Sequence, residues 1–259
     1  MPVKCNRGDG NILCALPYAG TDIPQLISRR LRDENDGFAA SDHDLEQLFA
    51  HVSSDATILR ANFHRYLSDV DNVRPGVEAI PMASMIGVAP LLDGAGEEIW
   101  DQPPSEQEAA SWRAIFYAPY HAAVAAEIAR IRARHGLVYL VNVCVKRQAP
   151  GSLPAGLITD IDVCPNSGHS SSIELTSAIS TLIKSRGTFS SSHLRISDAG
   201  WTTRHYGNPN LGVYAFDIYI NEACYLSTDT GEYLYDAAKA ARLQSTMTDI
   251  FQFVSTWKN

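Results

Sequence analysis

A nearly unbroken apolar run, Leu137–Val145 (LVYLVNVCV), follows a long helical pattern that closes at His135-Gly136. It is β-branched at Val138, Val141, Val143 and Val145. Such a run reads as a strand buried on both faces, in the middle of a sheet covered by helices. Asn142 and Cys144 break the apolar rule on one face, near the carboxyl end of the run. In open α/β sheets that end is where ligands bind.

The remaining pattern fits around this strand. Ile12–Leu16 and Ala56–Ala61 read as strands, Gly212–Asn221 as an alternating strand, and Leu194–Ile196 as a brief one. Pro24 opens a helix through Leu31. Ser41 is placed to cap the next helix, with Asp44 in the capping-box position and Leu45, Leu48, Phe49 and Val52 on its apolar face. Ser105 and Glu108 form a second capping box. The helix it opens carries Trp112, Ile115, Phe116, Ala123, Val124, Ile128 and Ile131 on one side, with a kink or break expected at Pro119. Helical spacing returns over Ser170–Ser185 and Tyr235–Trp257, while Gly200–Gly207 reads as a polar, aromatic loop. Val77–Pro104 reads as an irregular excursion, and the HRYLSDVDN segment at His64 crowds polar residues beyond a strand end. The alternation predicts a single α/β domain over residues 1–259: three layers, with a central mixed, largely parallel sheet flanked by helices.

Composition narrows the function. The net charge is −8, from 21 basic and 29 acidic residues. That offers no basic field to a phosphate backbone, so nucleic acid is not an expected partner. No run approaches the ~18 apolar residues of a membrane span. The five cysteines are scattered without metal-knuckle or redox spacing. With no apolar leader at the N-terminus, they read as reduced thiols of a cytoplasmic protein.

Several segments, in order, carry a resemblance. They are PYAGTDIP at Pro17, SDHDLEQLF at Ser41, HRYLSDVDN at His64, WRAIFYAPYH at Trp112 and LVNVCV at Leu140. DIDVCPNSGHSS at Asp160, WTTRHYGNP at Trp201 and YAFDIYINEACYL at Tyr214 complete the series. Together they resemble the zinc-dependent N-formylglutamate amidohydrolase family. Its members run Pro-His-Ser-Gly, an acidic segment, Arg-Tyr with Asp-Leu-Asn-Arg, and Tyr-x-Pro-Tyr-His. A strand ending Asp-x-His-Ser, a Thr-Arg-x-Tyr-Gly loop and a late Gln-x-Glu strand follow. The resemblance spans nearly the whole chain and implies a fold like that of the zinc exopeptidases.

The departures fall on the chemistry. By this matching the family's two zinc-ligand histidines land on Tyr18 and Cys144, and its acidic ligand on Asp42, which is kept. The aspartate before the second histidine lands on Asn142, the catalytic glutamate on Tyr219, and the arginine of Asp-Leu-Asn-Arg on Asn72. A catalytic zinc needs about three protein ligands and an open position for water. A phenol with pKa about 10 is a poor ligand at neutral pH. Without the glutamate, no obvious group moves the proton.

The expectation is therefore a divergent member with no metal and no cofactor. Its reacting positions are Cys144, Asp42 and Tyr219. Its ligand-binding positions are Arg65, Arg204, Tyr18, Asp69, Asn142 and His205. Arg65 and Arg204, as fork-shaped carboxylate binders, suit a small anionic, amino-acid-like ligand. The chain is expected as a monomer or homodimer. The alternative is an active amidohydrolase of N-acyl amino acids with a rebuilt zinc site, using His43 beside Asp42. A third reading makes Cys144 a nucleophile with His43, His64 or His205 as base. A fourth makes the Val77–Pro104 excursion, with Trp100 exposed on it, a contact surface for a partner.

Overall fold

The computed structural model describes residues 1–32, 41–52, 54–71, 89–93, 97–146, 159–193, 199–227 and 234–258. Seven strands form one sheet: β1 Val3–Asn6, β2 Ile12–Leu16, β3 Ala56–Ala61, β4 Val138–Lys146, β5 Ile161–Cys164, β6 Ser191–Ser192 and β7 Val213–Asn221. Their order is β1-β3-β2-β4-β7-β5-β6. Strands β3, β2, β4 and β7 run parallel, while β1 and β5 are antiparallel to their neighbours β3 and β7. The apolar run of the sequence is therefore the middle strand of a mixed, largely parallel sheet. A small hairpin, β8 Leu226–Ser227 and β9 Leu234–Tyr235, stands apart.

Helices α1 Gln25–Ser28, α2 Leu45–Phe49, α3 Glu106–Trp112, α4 Ala118–His135, α5 Ile173–Ser185, α6 Trp201–Tyr206 and α7 Ala237–Ser255 complete the described fold. They supply both outer layers. On one face of the sheet, α2, α5 and α7 pack Leu48, Ile179, Leu243, Met247 and Ile250 against Val141, Val143, Phe216 and Ile218. On the other, α3 and α4 pack Trp112, Tyr120, Val124 and Ile131 against Leu13, Leu59, Leu140 and Ala215. Each buried Leu or Ile contributes about 1.5–3 kcal/mol by leaving water. Every side chain of β4 from Val138 to Val143 is buried, Asn142 included, as expected of a nearly unbroken apolar strand in mid-sheet.

Several local expectations are corrected. Ser41 does not cap α2; its hydroxyl donates to Gly20 O, and Asp44 holds the N-cap position in a left-handed conformation (φ 58°). The helix expected through Leu31 is the short α1. The Ser105–Glu108 capping box forms. Pro119, lacking an N–H, lies in the first turn of α4, and the expected break falls just before it as one π turn, Arg113–Tyr117, between α3 and α4. Ile115 on that turn is 54% exposed, not part of the core face. Gly200–Gly207 is not a loop: it contains α6. Trp100 is buried, its indole N–H donating to Pro90 O, so it offers no exposed contact surface. Much of the Val77–Pro104 excursion and the Leu194–Ile196 strand lie outside the described residues.

Candidate functional site

The carboxyl ends of the parallel strands converge on the α4 side of the sheet. On β4, alternation puts Asn142, Cys144 and Lys146 on that side, above the core residue Leu140. On β7 it puts Asp217 and Tyr219 there, above Ala215. The register sets Asn142 opposite Asp217 and Cys144 opposite Tyr219. The turn after β2 brings Tyr18, and the segment after β3 brings Arg65, Asp69 and Asp71.

Two linked groups result. In the first, the Tyr18 hydroxyl donates to Asp69 Oδ1 at 2.7 Å. Arg65 Nη2 donates to Asp69 Oδ2 at 2.8 Å, and its guanidinium carbon lies 3.9 Å from the centre of the Tyr18 ring. Burial and the Asp69 charge push the Tyr18 phenol well above its usual range. Burial alone would lower Arg65, yet the neighbouring Asp69 carboxylate holds it above the ordinary arginine value. Asp42 closes this side: its backbone N–H donates to Tyr18 O at 2.8 Å, and its Oδ2 accepts from Val145 N at 2.9 Å.

The second group was not anticipated. Asn142 Nδ2 donates to Asp71 Oδ2 at 2.8 Å and to Asp217 Oδ1 at 2.9 Å. The two carboxylates also hold the start of α6. Thr202 N donates to Asp71 Oδ1 at 2.7 Å, Gly200 N to Asp217 Oδ2 at 2.6 Å, and Thr203 Oγ1 to Asp217 Oδ1 at 2.5 Å. A side chain at Gly200 would lie 2.1 Å from Asp71 Oδ2, so this close approach requires glycine. Burial and the Asp217 charge raise Asp71 to about 7. Burial likewise raises Asp217. Tyr219 joins the group through its hydroxyl, 3.4 Å from Asp217 Oδ2.

Cys144 sits between the two groups, its sulfur 3.9 Å from Asp71 Oδ2 and 4.0 Å from Asn142 Nδ2. Burial, then Asp71, Asp42 and Asp217, push its thiol well up. This is the setting of a protonated thiol, since a reactive thiolate needs positive surroundings. Its hydrogen-bonding neighbours are a carboxylate and an amide rather than an imidazole. His43 is buried, with its carbonyl bonded to Tyr225. The His64 ring accepts from Tyr66 N. His205 is exposed and stacks on Trp201 at 4.7 Å. Arg204 is half-buried on α6, whose first residues the two carboxylates anchor. Among the described residues, no three His, Cys, Asp or Glu side chains are grouped to hold a metal ion.

Comparison with known proteins decides the family. The N-formylglutamate amidohydrolase family model matches residues 10–226. The chain belongs to the N-formylglutamate amidohydrolase family. It is 24% identical over 255 residues to N-formylglutamate deformylase of Pseudomonas aeruginosa, covering 97% of this chain and 95% of the relative. It is 21% identical over 256 residues to the N-formylglutamate deformylase of Pseudomonas putida, at the same coverages. The fold matches the crystal structure of N-formylglutamate amidohydrolase from Ralstonia eutropha, with a TM-score of 0.80 at 17% identity over 98% of this chain and 97% of that one. An Agrobacterium tumefaciens gene product follows at 0.74 and 16%, over 98% and 95%.

Set against the N-formylglutamate amidohydrolase pattern, the second group gains a meaning that reading by motif missed. The asparagine of Asp-Leu-Asn-Arg falls on Asp71, the glutamine of Gln-x-Glu on Asp217, and the aspartate of Asp-x-His-Ser on Asn142. The signal lay in the same motifs, one residue from Asn72 and two from Tyr219. Also missed was Lys146, whose ammonium lies 2.6 Å from Asp162 Oδ2 on the same side of the sheet.

Proposed function

We propose that this member of the N-formylglutamate amidohydrolase family uses its pocket for a small amino-acid-like ligand without the family's zinc. The observation that carries the reading is the state of the three residues at the zinc-ligand positions. The Tyr18 phenol is protonated and committed to Asp69. The Cys144 sulfur lies 3.9 Å from Asp71 Oδ2, against a carboxylate rather than a cation. Asp42 and Cys144 are side chains of zinc-binding type, but one Asp42 oxygen is taken by Val145 N and no imidazole stands with them. A catalytic zinc asks for about three His, Cys or carboxylate ligands around an open position, and a set without histidine whose third member is a phenol bonded to Asp69 does not fit it.

Arg65 supports a carboxylate-bearing ligand. Its guanidinium has five N–H donors. Asp69 engages it through Nη2, and the fork geometry suits a ligand's acid group. The relatives' names point to N-formyl amino acids as the first compounds to offer.

The test combines metal analysis with a turnover screen. Protein purified from zinc-replete medium should hold far less than one zinc per chain. Whatever N-formyl or N-acyl amino acid it turns over should be cleaved equally well with a chelator present. Retention of one zinc per chain, with activity lost on its removal, would defeat the reading.

A further inference from the structure

We infer that Asp71 and Asp217, tied together through Asn142, form a one-proton acid pair that is the proton donor and acceptor of the pocket. The inference rests on the zinc-free reading above and names the groups that would carry its chemistry.

The geometry is specific. One amide nitrogen, with two hydrogens, serves two carboxylates at 2.8 and 2.9 Å. Asp217 and Asn142 have no exposed surface, and Asp71 is 4% exposed. The nitrogen end of Asn142 must face the carboxylates, because its oxygen end would require a proton on each of them. The other partners of the pair are neutral: Thr202 N, Gly200 N, the Thr203 hydroxyl, the Tyr219 hydroxyl and the Cys144 thiol. Among the described residues, no lysine, arginine or histidine bonds either carboxylate.

Among the described residues, the titratable and charged groups facing the pair are Cys144 from β4, Tyr219 from β7, Tyr117 from the π turn, Tyr120 from α4, and Tyr18 with the Arg65–Asp69 ion pair from the loops. The phenols and the thiol are themselves held protonated, and Arg65 is matched by Asp69. Two buried like charges with no counter-ion among the described residues do not both persist, and one retained proton is the least costly relief.

Two further atoms point to a ligand. The Tyr120 hydroxyl and Asn142 Oδ1 are fully buried and have no hydrogen-bond partner among the described residues. Tyr120 lies in the field of Asp71 and Cys144. Buried polar atoms are rarely left unmet. A donor and an acceptor beside an acid pair complement the C=O and N–H of an amide. In amide hydrolysis, water adds to the acyl carbon and loses a proton to the ionised carboxylate. The protonated carboxyl gives its proton to the leaving nitrogen as the C–N bond breaks. The pair ends the cycle with the single proton it began with.

Infrared spectroscopy of the native protein at pH 6 should show a protonated-carboxyl C=O stretch that is absent from Asp71→Asn/Asp217→Asn, with circular dichroism confirming that the variant is folded. Absence of the band from the native protein, or its survival in the double variant, overturns the one-proton pair. In a screen of N-formyl and N-acyl amino acids, each single Asn variant should lose about 100-fold in kcat. Unchanged kcat in either variant, or no turnover by the native protein on any compound, overturns the catalytic role. Stoichiometric zinc defeats the metal-free reading whatever the spectrum; the spectrum decides the proton whatever the metal content.

Discussion

Tyr18 donates its phenolic hydrogen to Asp69 Oδ1 across 2.7 Å. By the motif resemblance, this is the position expected to match the family's first zinc-binding histidine. A phenol satisfied this way has little to offer a metal. The scaffold beneath it is intact, with β2 in register beside β3 and β4. On the zinc-free reading proposed above, a small number of side chains separates this chain from a zinc site.

Restoring those side chains should restore the metal. Tyr18→His/Cys144→His, with Asp42 in place, is expected to retain about one zinc per chain after passage over chelating resin. The native protein should retain far less. Elemental analysis of both decides the matter; a zinc-free double variant would mean that the scaffold has changed too.

Acid and base should act on stability in opposite directions. Asp71 has a folded pKa of about 7, above the unfolded value of about 3.9. Between these values the native chain binds more protons, so this group's contribution falls as pH rises from about 4 to about 7. The slope is at most about 1.4 kcal/mol per pH unit. His121 works the other way. Burial lowers it to about 4, below the unfolded value of about 6.5. Its contribution is lost as pH falls through that window. Asp71→Asn should remove the first effect alone and raise the melting temperature at pH 8. Melts from pH 4 to pH 8 that run parallel in both proteins would contradict this.

Core truncation should separate buried from exposed positions. Leu140 has no exposed surface in the middle of β4. Leu140→Ala is expected to cost about 2–5 kcal/mol. Ile115→Ala, on the exposed π turn, should stay within about 0.5 kcal/mol. Urea unfolding of both variants measures the difference.

Arg65 should resist conservative exchange. Its fork binds Asp69 while its face covers the Tyr18 ring. Arg65→Ala strips the cation from a buried carboxylate and is expected to cost about 3 kcal/mol or more. Arg65→Lys keeps the charge but not the stacked plane. Chemical denaturation should show that lysine restores only part of the loss.

The strands β2, β3, β4 and β7 and the helices α4, α5 and α7 were legible because each is long or apolar enough to carry its own period. Strands β1, β5 and β6 and helix α6 were not. Each is six residues or fewer, and each exists because a partner holds it. Helix α6 is clearest: its six residues read as a polar loop, and it is helical where Asp71 and Asp217 bond its first N–H groups. Trp100 is similar, an aromatic in an irregular stretch that is buried beside Trp112 with its indole N–H on Pro90 O.

By itself the sequence determined the layered α/β fold and the middle strand with Asn142 and Cys144 on one face. These are properties of local period and of residue identity. Only the tertiary structure decided that Asp71 and Asp217, 71 and 75 residues from Asn142, share its one amide nitrogen. Nothing local distinguishes either aspartate from a solvated loop or strand carboxylate. Their burial, and the proton it calls for, arise when β4 and β7 pair in register and the segment after β3 folds over them.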